Sequence, residues 1–297
     1  MKRERFMAKR VLTSLAGLPI LILIVYIGGI PLRLGLLFLS CIGLSEFYLA
    51  LKNSSSRFTN SNIIEFPVRG KKGMIRQISV NYISYIYTAL YYLLLPHVDN
   101  SAYFFILITM FIISLMITMV IFHGRVSIMD CAATLFGFFY TAFLLSFIYF
   151  IRVQNHGVYF VWLVFITAFG CDSFAYFIGR KFGKHKLAPE LSPNKTIEGA
   201  AGGLVGAGLL SALFGILISK VFRLDDIDAM IYFALVGIVG AVFSTFGDLA
   251  ASSVKRYTKI KDFGKIFPGH GGVLDRFDSV IFAAPMMYMA ILFLHSR

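Results

Sequence analysis

Charge is what this 297-residue chain has least of: 14% of its residues are Asp, Glu, Lys or Arg, while 58% are hydrophobic. A soluble domain carries roughly 25% charged residues, so there are too few here to wet a globular surface. Cysteine is scarce as well. Cys41, Cys131 and Cys171 stand at unrelated spacings inside apolar segments, with no CxxC pair. That excludes a disulfide framework and a zinc site, and leaves small apolar packing residues. The composition also excludes disorder, a collagen-like chain and a soluble nucleic-acid binder. An integral membrane protein remains. Acidic residues are outnumbered 15 to 28, giving a net charge of +13. In a membrane protein that excess is first a topology signal.

A membrane-crossing helix needs about 20 predominantly apolar residues. Nine stretches qualify: 11–30, 32–51, 79–97, 101–122, 131–151, 157–179, 199–219, 229–250 and 278–295. The seventh is rich in Gly and Ala, and the eighth runs on into a basic end. The first follows Lys2, Arg3, Arg5, Lys9 and Arg10 as a signal peptide would, but it is long and no A-x-A-like cleavage site follows it. It reads as an uncleaved span. Taking the polar connections alternately, 23 of the 28 basic residues fall in one set, and only Arg33, Arg152, Lys220, Arg223 and Arg297 in the other. The positive-inside rule then puts the N-terminus in the cytoplasm and the C-terminus outside. The expected fold is an all-α integral membrane protein of about nine spans. Five lie in residues 1–155 and four in a catalytic region, 156–297. The segment 52–78, with Asn53-Ser54-Ser55-Ser56 and Arg69-Gly70-Lys71-Lys72, reads as a cytoplasmic loop near anionic lipid heads.

Four acidic residues fall within or beside apolar spans: Glu46, Asp172, Asp248 and Asp278. Carboxylates at that depth face a cavity, a partner or an ion. Glu46 can be read either as a structural pairing or as part of a site. Asp172 and Asp248 fall in the cytoplasmic halves of the sixth and eighth spans. After Asp248 come Ser252, Lys255-Arg256, Lys261-Asp262, then Pro268-Gly269-His270-Gly271-Gly272 and Asp275-Arg276-Phe277-Asp278. Proline and glycines disfavour a continuing helix and allow the backbone close to a ligand. Irregular backbone at membrane depth requires a protein-lined or watery cavity. Flanking Lys and Arg suit phosphate oxygens. Asp275 and Asp278, three apart, share a face if helical. Carboxylates beside phosphates point to Mg²⁺. A second basic stretch, Gly179-Arg180 to Lys186, leads to Ser192-Pro193-Asn194-Lys195-Thr196-Ile197-Glu198-Gly199. Pro193 suits a turn and Thr196 a helix cap. The run Gly179 to His185 is one residue short of a P-loop. The glycine-dense run Gly199 to Gly208 follows no strand and reads as a close helix-packing face.

The residues from Ser252 to Asp278 resemble the signature of the CDP-diacylglycerol synthases, or phosphatidate cytidylyltransferases. Its elements stand here without a gap as Ser252, Lys255-Arg256, Lys261-Asp262, Pro268, His270-Gly271-Gly272, Asp275-Arg276 and Asp278. Residues 172–199 also look like the family's Asp-x-x-Ala-Tyr to Ser-Pro-x-Lys-Thr-x-Glu-Gly stretch. The clear resemblance covers roughly residues 170–280, and the first half resembles the family mainly in hydropathy and in Glu46-Phe47. It implies a multi-span homodimeric enzyme of the bacterial plasma membrane, converting CTP and phosphatidic acid to CDP-diacylglycerol and pyrophosphate. It implies Mg²⁺, with K⁺ nearby, on acidic residues matching Asp248, Asp275 and Asp278, with Asp172 as a further acidic member. Lys195, Lys255, Arg256, Lys261 and Arg276 are then the phosphate contacts. Ser192, Gly271 and Gly272 line the nucleotide site, Asp262 belongs to the catalytic loop, and His270 orients a phosphate. Membrane lipids are expected partners and nucleic acid is not. A CTP-dependent lipid or polyprenol kinase and a cation transporter are the competing readings, although a transporter would not need the basic, glycine-broken loop.

Overall fold

The computed structural model describes residues 19–55, 70–97, 101–222, 226–266 and 271–295. Residues 19–27 form helix α1. It is followed by α2 (Gly29–Ser55), α3 (Gly70–Leu94), α4 (Ser101–Ile121) and α5 (Ile128–Gly137). A π-turn (Phe138–Phe143) leads into α6 (Leu144–Val153). The second half comprises α7 (Gly157–Phe182), α8 (Ile197–Phe222), α9 (Asp226–Tyr257) and α10 (Leu274–His295). Between α7 and α8 lies a two-stranded antiparallel hairpin, β1 (Lys186–Ala188) with β2 (Ser192–Thr196).

Among the described residues, seven segments are long and apolar enough to cross a membrane: Gly29–Lys52, Ala102–Ile121, Ile128–Val153, Gly157–Phe182, Ile197–Val221, Ile227–Tyr257 and Leu274–Phe293. They coincide with seven of the nine expected spans. The expected third span lies on α3, where Asn81, Ser84, Thr88 and the tyrosines Tyr82, Tyr85, Tyr87, Tyr91 and Tyr92 dilute its apolar character. Part of the first expected span lies outside the described residues. The outer faces carry exposed Leu34, Phe105, Leu217 and Phe293. Such a surface would aggregate in water and is wetted by lipid tails. The chain is a multi-pass helical membrane protein.

Three local expectations change. The polar segment 52–78 is not wholly a loop, because α2 continues to Ser55 and α3 starts at Gly70. Residues 56–69 of it lie outside the described residues. The all-α fold gains one small hairpin. Pro193 lies on strand β2 rather than in its turn, which falls at residues 189–191. A two-stranded ribbon is all edge, so a proline lacking an N–H is tolerated there.

The helices of the second half pack closely because the glycines of α8 face α7. A Cβ at Gly203 would stand 2.8 Å from the Cys171 carbonyl oxygen, and one at Gly199 would stand 2.7 Å from that of Ala175. Thr196 caps α8, accepting from the Gly199 N–H at 3.1 Å. In the first half, buried hydroxyls hold the π-turn. Tyr92 donates to the Ala142 carbonyl at 3.1 Å and shares a hydrogen bond of 2.9 Å with Ser40. Such contacts satisfy backbone groups that lipid cannot. One hydrophobic core, from Val25 to Ile291, runs through both halves.

Candidate active site

Helix α9 carries Asp248 where its apolar span gives way to its basic end, Lys255-Arg256. The hairpin folds over it. Lys195, on β2, reaches the Asp248 carboxylate with Nζ–Oδ2 at 2.5 Å. Arg256 donates from Nε to the Leu191 carbonyl at 3.1 Å, tying the same hairpin to the end of α9. Ser252, one turn past Asp248, donates to its Oδ1 at 3.5 Å. The two stretches that carry the family resemblance therefore meet around one carboxylate.

Helix α10 supplies the other side. Its first turns carry Asp275 and Asp278, each 8% exposed. Asp278 Oδ1 accepts from the Ser279 N–H at 2.8 Å, and the Ser279 hydroxyl donates to Asp172 Oδ2 at 3.1 Å. Asp172, Asp248 and Asp278 stand within electrostatic reach of one another. Three carboxylates so placed repel, and the repulsion is offset by Lys195 on Asp248, by Lys195 and Arg276 within electrostatic reach of Asp172, and by Lys255 within reach of Asp278. Asp275 is used differently. Its Oδ1 accepts from Lys255 Nζ at 3.1 Å, and its Oδ2 accepts from the N–H groups of Phe263 at 2.8 Å and Gly272 at 2.9 Å. It folds the glycine loop back over the start of α10. Gly271 has φ +87°, in the left-handed region that glycine enters freely. Lys255 Nζ also lies 5.6 Å from the ring centre of buried Phe263.

Most of the remaining expected residues are at the surface. Arg256, Lys261, Asp262 and Arg276 are exposed, and Ser192 is half-buried on β2. His270 and Pro268 lie outside the described residues. Asp262, on the loop, and Asp275, in the first turn of α10, thus have different surroundings: one is exposed and the other is buried on backbone amides.

Two residues escaped the reading of the sequence. Tyr140, in the π-turn, is 4% exposed, and its hydroxyl has no hydrogen-bond partner. It stands within electrostatic reach of Asp278, Asp275 and Asp248. Ser244, one turn before Asp248 on α9, is fully buried with its hydroxyl likewise unpartnered. Buried orphan hydroxyls are uncommon, and π-turns are frequent at functional sites. Glu46 was singled out, but its partner was not. It is 3% exposed on α2 and accepts from the Val273 N–H at 3.0 Å and the Leu274 N–H at 2.9 Å.

Among the described residues, no three His, Cys, Asp or Glu side chains already form a metal-holding group. The donor chemistry nevertheless suits a hard cation. The groups are carboxylates crowded together, offset by Lys195, Lys255 and Arg276 and bordered by the unpartnered Tyr140 hydroxyl.

A phosphatidate cytidylyltransferase of Bacillus subtilis (strain 168) is 41% identical over 150 residues, which is 50% of this chain and 54% of that protein. One of Staphylococcus haemolyticus (strain JCSC1435) is 38% identical over 169 residues, 57% of this chain and 62% of the relative. One of Thermotoga maritima is 36% identical over 159 residues, 53% of this chain and 58% of the relative. The alignments thus span a little over half of each relative's length. The model of the cytidylyltransferase family, in contrast, matches residues 8–294. With nearly its whole length matched, this chain belongs to the cytidylyltransferase family.

Proposed function

We propose that the protein is a phosphatidate cytidylyltransferase of the bacterial plasma membrane. It would convert CTP and phosphatidic acid to CDP-diacylglycerol and pyrophosphate. The observation that carries the reading is the meeting of Lys195, Asp248, Lys255 and Asp275 at one end of a bundle of apolar spans. A site at that position can take a polyphosphate from water and a headgroup from the bilayer.

The phosphatidate oxygen attacks the α-phosphorus of CTP in line, and pyrophosphate leaves. A phosphate monoester is already anionic near neutral pH, so no strong general base is assigned. The difficulty is bringing two polyanions together. Lys195 and Lys255 each hold a carboxylate in this structure, and an arriving triphosphate offers them stronger anionic acceptors. Arg256, Lys261 and Arg276, at the surface, would steer and hold its outer phosphates. Asp172, Asp248 and Asp278 would hold Mg²⁺, with Asp275 beside them and K⁺ nearby. When bound, such an ion neutralises phosphate charge and stabilises the leaving group. Gly271 lets the loop backbone approach the nucleotide, while the missing side chain of Gly272 makes room for the Glu46 carboxyl group. The nine-span topology, with the N-terminus in the cytoplasm, would place this site on the CTP side. A homodimer is part of the same reading.

The test uses detergent-purified protein with phosphatidic acid, Mg²⁺ and CTP labelled at either phosphorus. Label from the α-phosphate should enter lipid and label from the γ-phosphate should not. The reverse pattern would make the protein a lipid kinase.

A further inference from the structure

We infer that Glu46 is a positioning residue, by which the N-terminal spans set the geometry of the loop and helix start that carry Asp275 and Asp278. A buried carboxylate is costly unless it is hydrogen-bonded. Both oxygens of Glu46 are engaged, one by the Val273 N–H and the other by the Leu274 N–H. These amides open α10, where a helix leaves its first N–H groups without internal partners. A negative charge there also suits the helix dipole. Chain separations of 227 and 228 residues make this a tertiary cap supplied from the other half of the protein.

The loop is shaped around that carboxylate. A Cβ built at Gly264 or at Gly272 would run into the Glu46 carboxyl group. Glycine is therefore needed at both places for close approach, without any positive φ at either. Glu46 takes the amides of residues 273 and 274, while Asp275 takes those of 263 and 272. Two carboxylates thus staple both ends of the loop between Phe263 and Leu274. α2 is in turn wedged against the π-turn. Phe47 lies with its ring centre 6.2 Å from that of Tyr140, and Gly43 sits between Leu274 and Thr141. If Glu46 were lost, the first turn of α10 would shift relative to Asp248 and Asp172. Misplacement by about 1 Å can cost a hundredfold in rate.

The kinetic arm rests on the cytidylyltransferase reading, but the structural arm does not. Glu46→Gln keeps the shape and turns one acceptor into a donor facing an N–H. In detergent, trypsin should cleave after Lys259, Lys261 or Lys265 about tenfold faster than in the wild type, following the population of opened loop. kcat per mole of protein still folded at the assay temperature should fall by about ten- to a hundredfold, with the KM for phosphatidic acid changed less than about twofold; referring the rate to folded protein separates this from destabilisation, which lowers only the amount of active enzyme. Gly272→Ala should slow the wild type strongly. In a Glu46→Ala background it should add less than about twofold, because the group its methyl strikes is gone. Wild-type cleavage and kcat in Glu46→Gln would overturn the inference, and so would a Gly272→Ala effect of the same size in both backgrounds. If Glu46→Gln does not fold, Gly264→Ala, which presses on the same carboxylate from the loop, carries the cleavage test with the same two outcomes. A wild type that makes no CDP-diacylglycerol would refute the proposed function and leave the cleavage result to judge Glu46.

Discussion

Lys195 Nζ lies 2.5 Å from Asp248 Oδ2, joining a short β-hairpin to a membrane-spanning helix. The contact brings the two basic stretches of the sequence to one place and sets a lysine ammonium against Asp248 and within electrostatic reach of Asp172. Lys195 is therefore doubly placed, as a counter-charge before substrate arrives and as a phosphate ligand afterwards. Lys195→Ala should lower activity by at least about a hundredfold, the scale for losing a charged group that stabilises a transition state. Lys195→Arg should recover part of it. Turnover numbers for the two variants in one detergent preparation check this, and a fully active Lys195→Ala would remove the lysine from the chemistry.

Asp275 is predicted to matter for folding as well as turnover. Asp275→Asn leaves Lys255 without its buried partner and weakens the hold on the Phe263 and Gly272 amides. Breaking a buried pair from one side costs about 3–5 kcal/mol. The melting midpoint in detergent should fall and activity should drop below about a tenth of wild type. An unchanged midpoint would mean that the staple contributes little.

Gly203 tests the packing that carries Asp172. Gly203→Val would drive a branched side chain into the Cys171 carbonyl and the Ala175 methyl. Overpacking of this kind costs about 1–3 kcal/mol. The midpoint should fall, and activity should fall with it because α7 moves relative to α10. Retained stability would show that the interface between α7 and α8 is looser than its glycines require.

Orientation has its own measurement. A reporter fused after Arg297 should lie outside the cytoplasm and one inserted near Lys72 inside, following the split of basic residues. Both reporters on the same side would remove the nine-span topology.

The spans were legible because a bilayer imposes a length and a composition that a sequence must obey, and seven of the segments read from apolar runs return as helices at nearly the same places. The polar start of α3 was not, because Lys71, Lys72 and Arg76 read as loop while helix propensity carries them. The acidic residues of the site could be singled out by their cost in lipid, and the basic ones by their run of glycines and proline. Their pairing could not. Nothing local to Glu46 names Val273, and nothing near Lys195 names Asp248. Tyr140 left no signal at all, since a π-turn has no residue signature and one more tyrosine among 15 looks like packing. The hairpin at 186–196 was hidden because its strands are three and five residues long and bury little apolar surface.

The most direct test of the account measures pyrophosphate released on mixing CTP, Mg²⁺ and phosphatidic acid with wild type and with Asp248→Asn, alongside melting curves of both with and without Mg²⁺. The account predicts release that requires phosphatidic acid in the wild type and falls at least about a hundredfold in the variant. Mg²⁺ should raise the wild-type midpoint, as any ligand of the folded state does, and raise that of the variant less. Phosphatidate-dependent release undiminished in Asp248→Asn, with an unchanged Mg²⁺ shift, would contradict it and show that the carboxylate held by Lys195 is a packing residue.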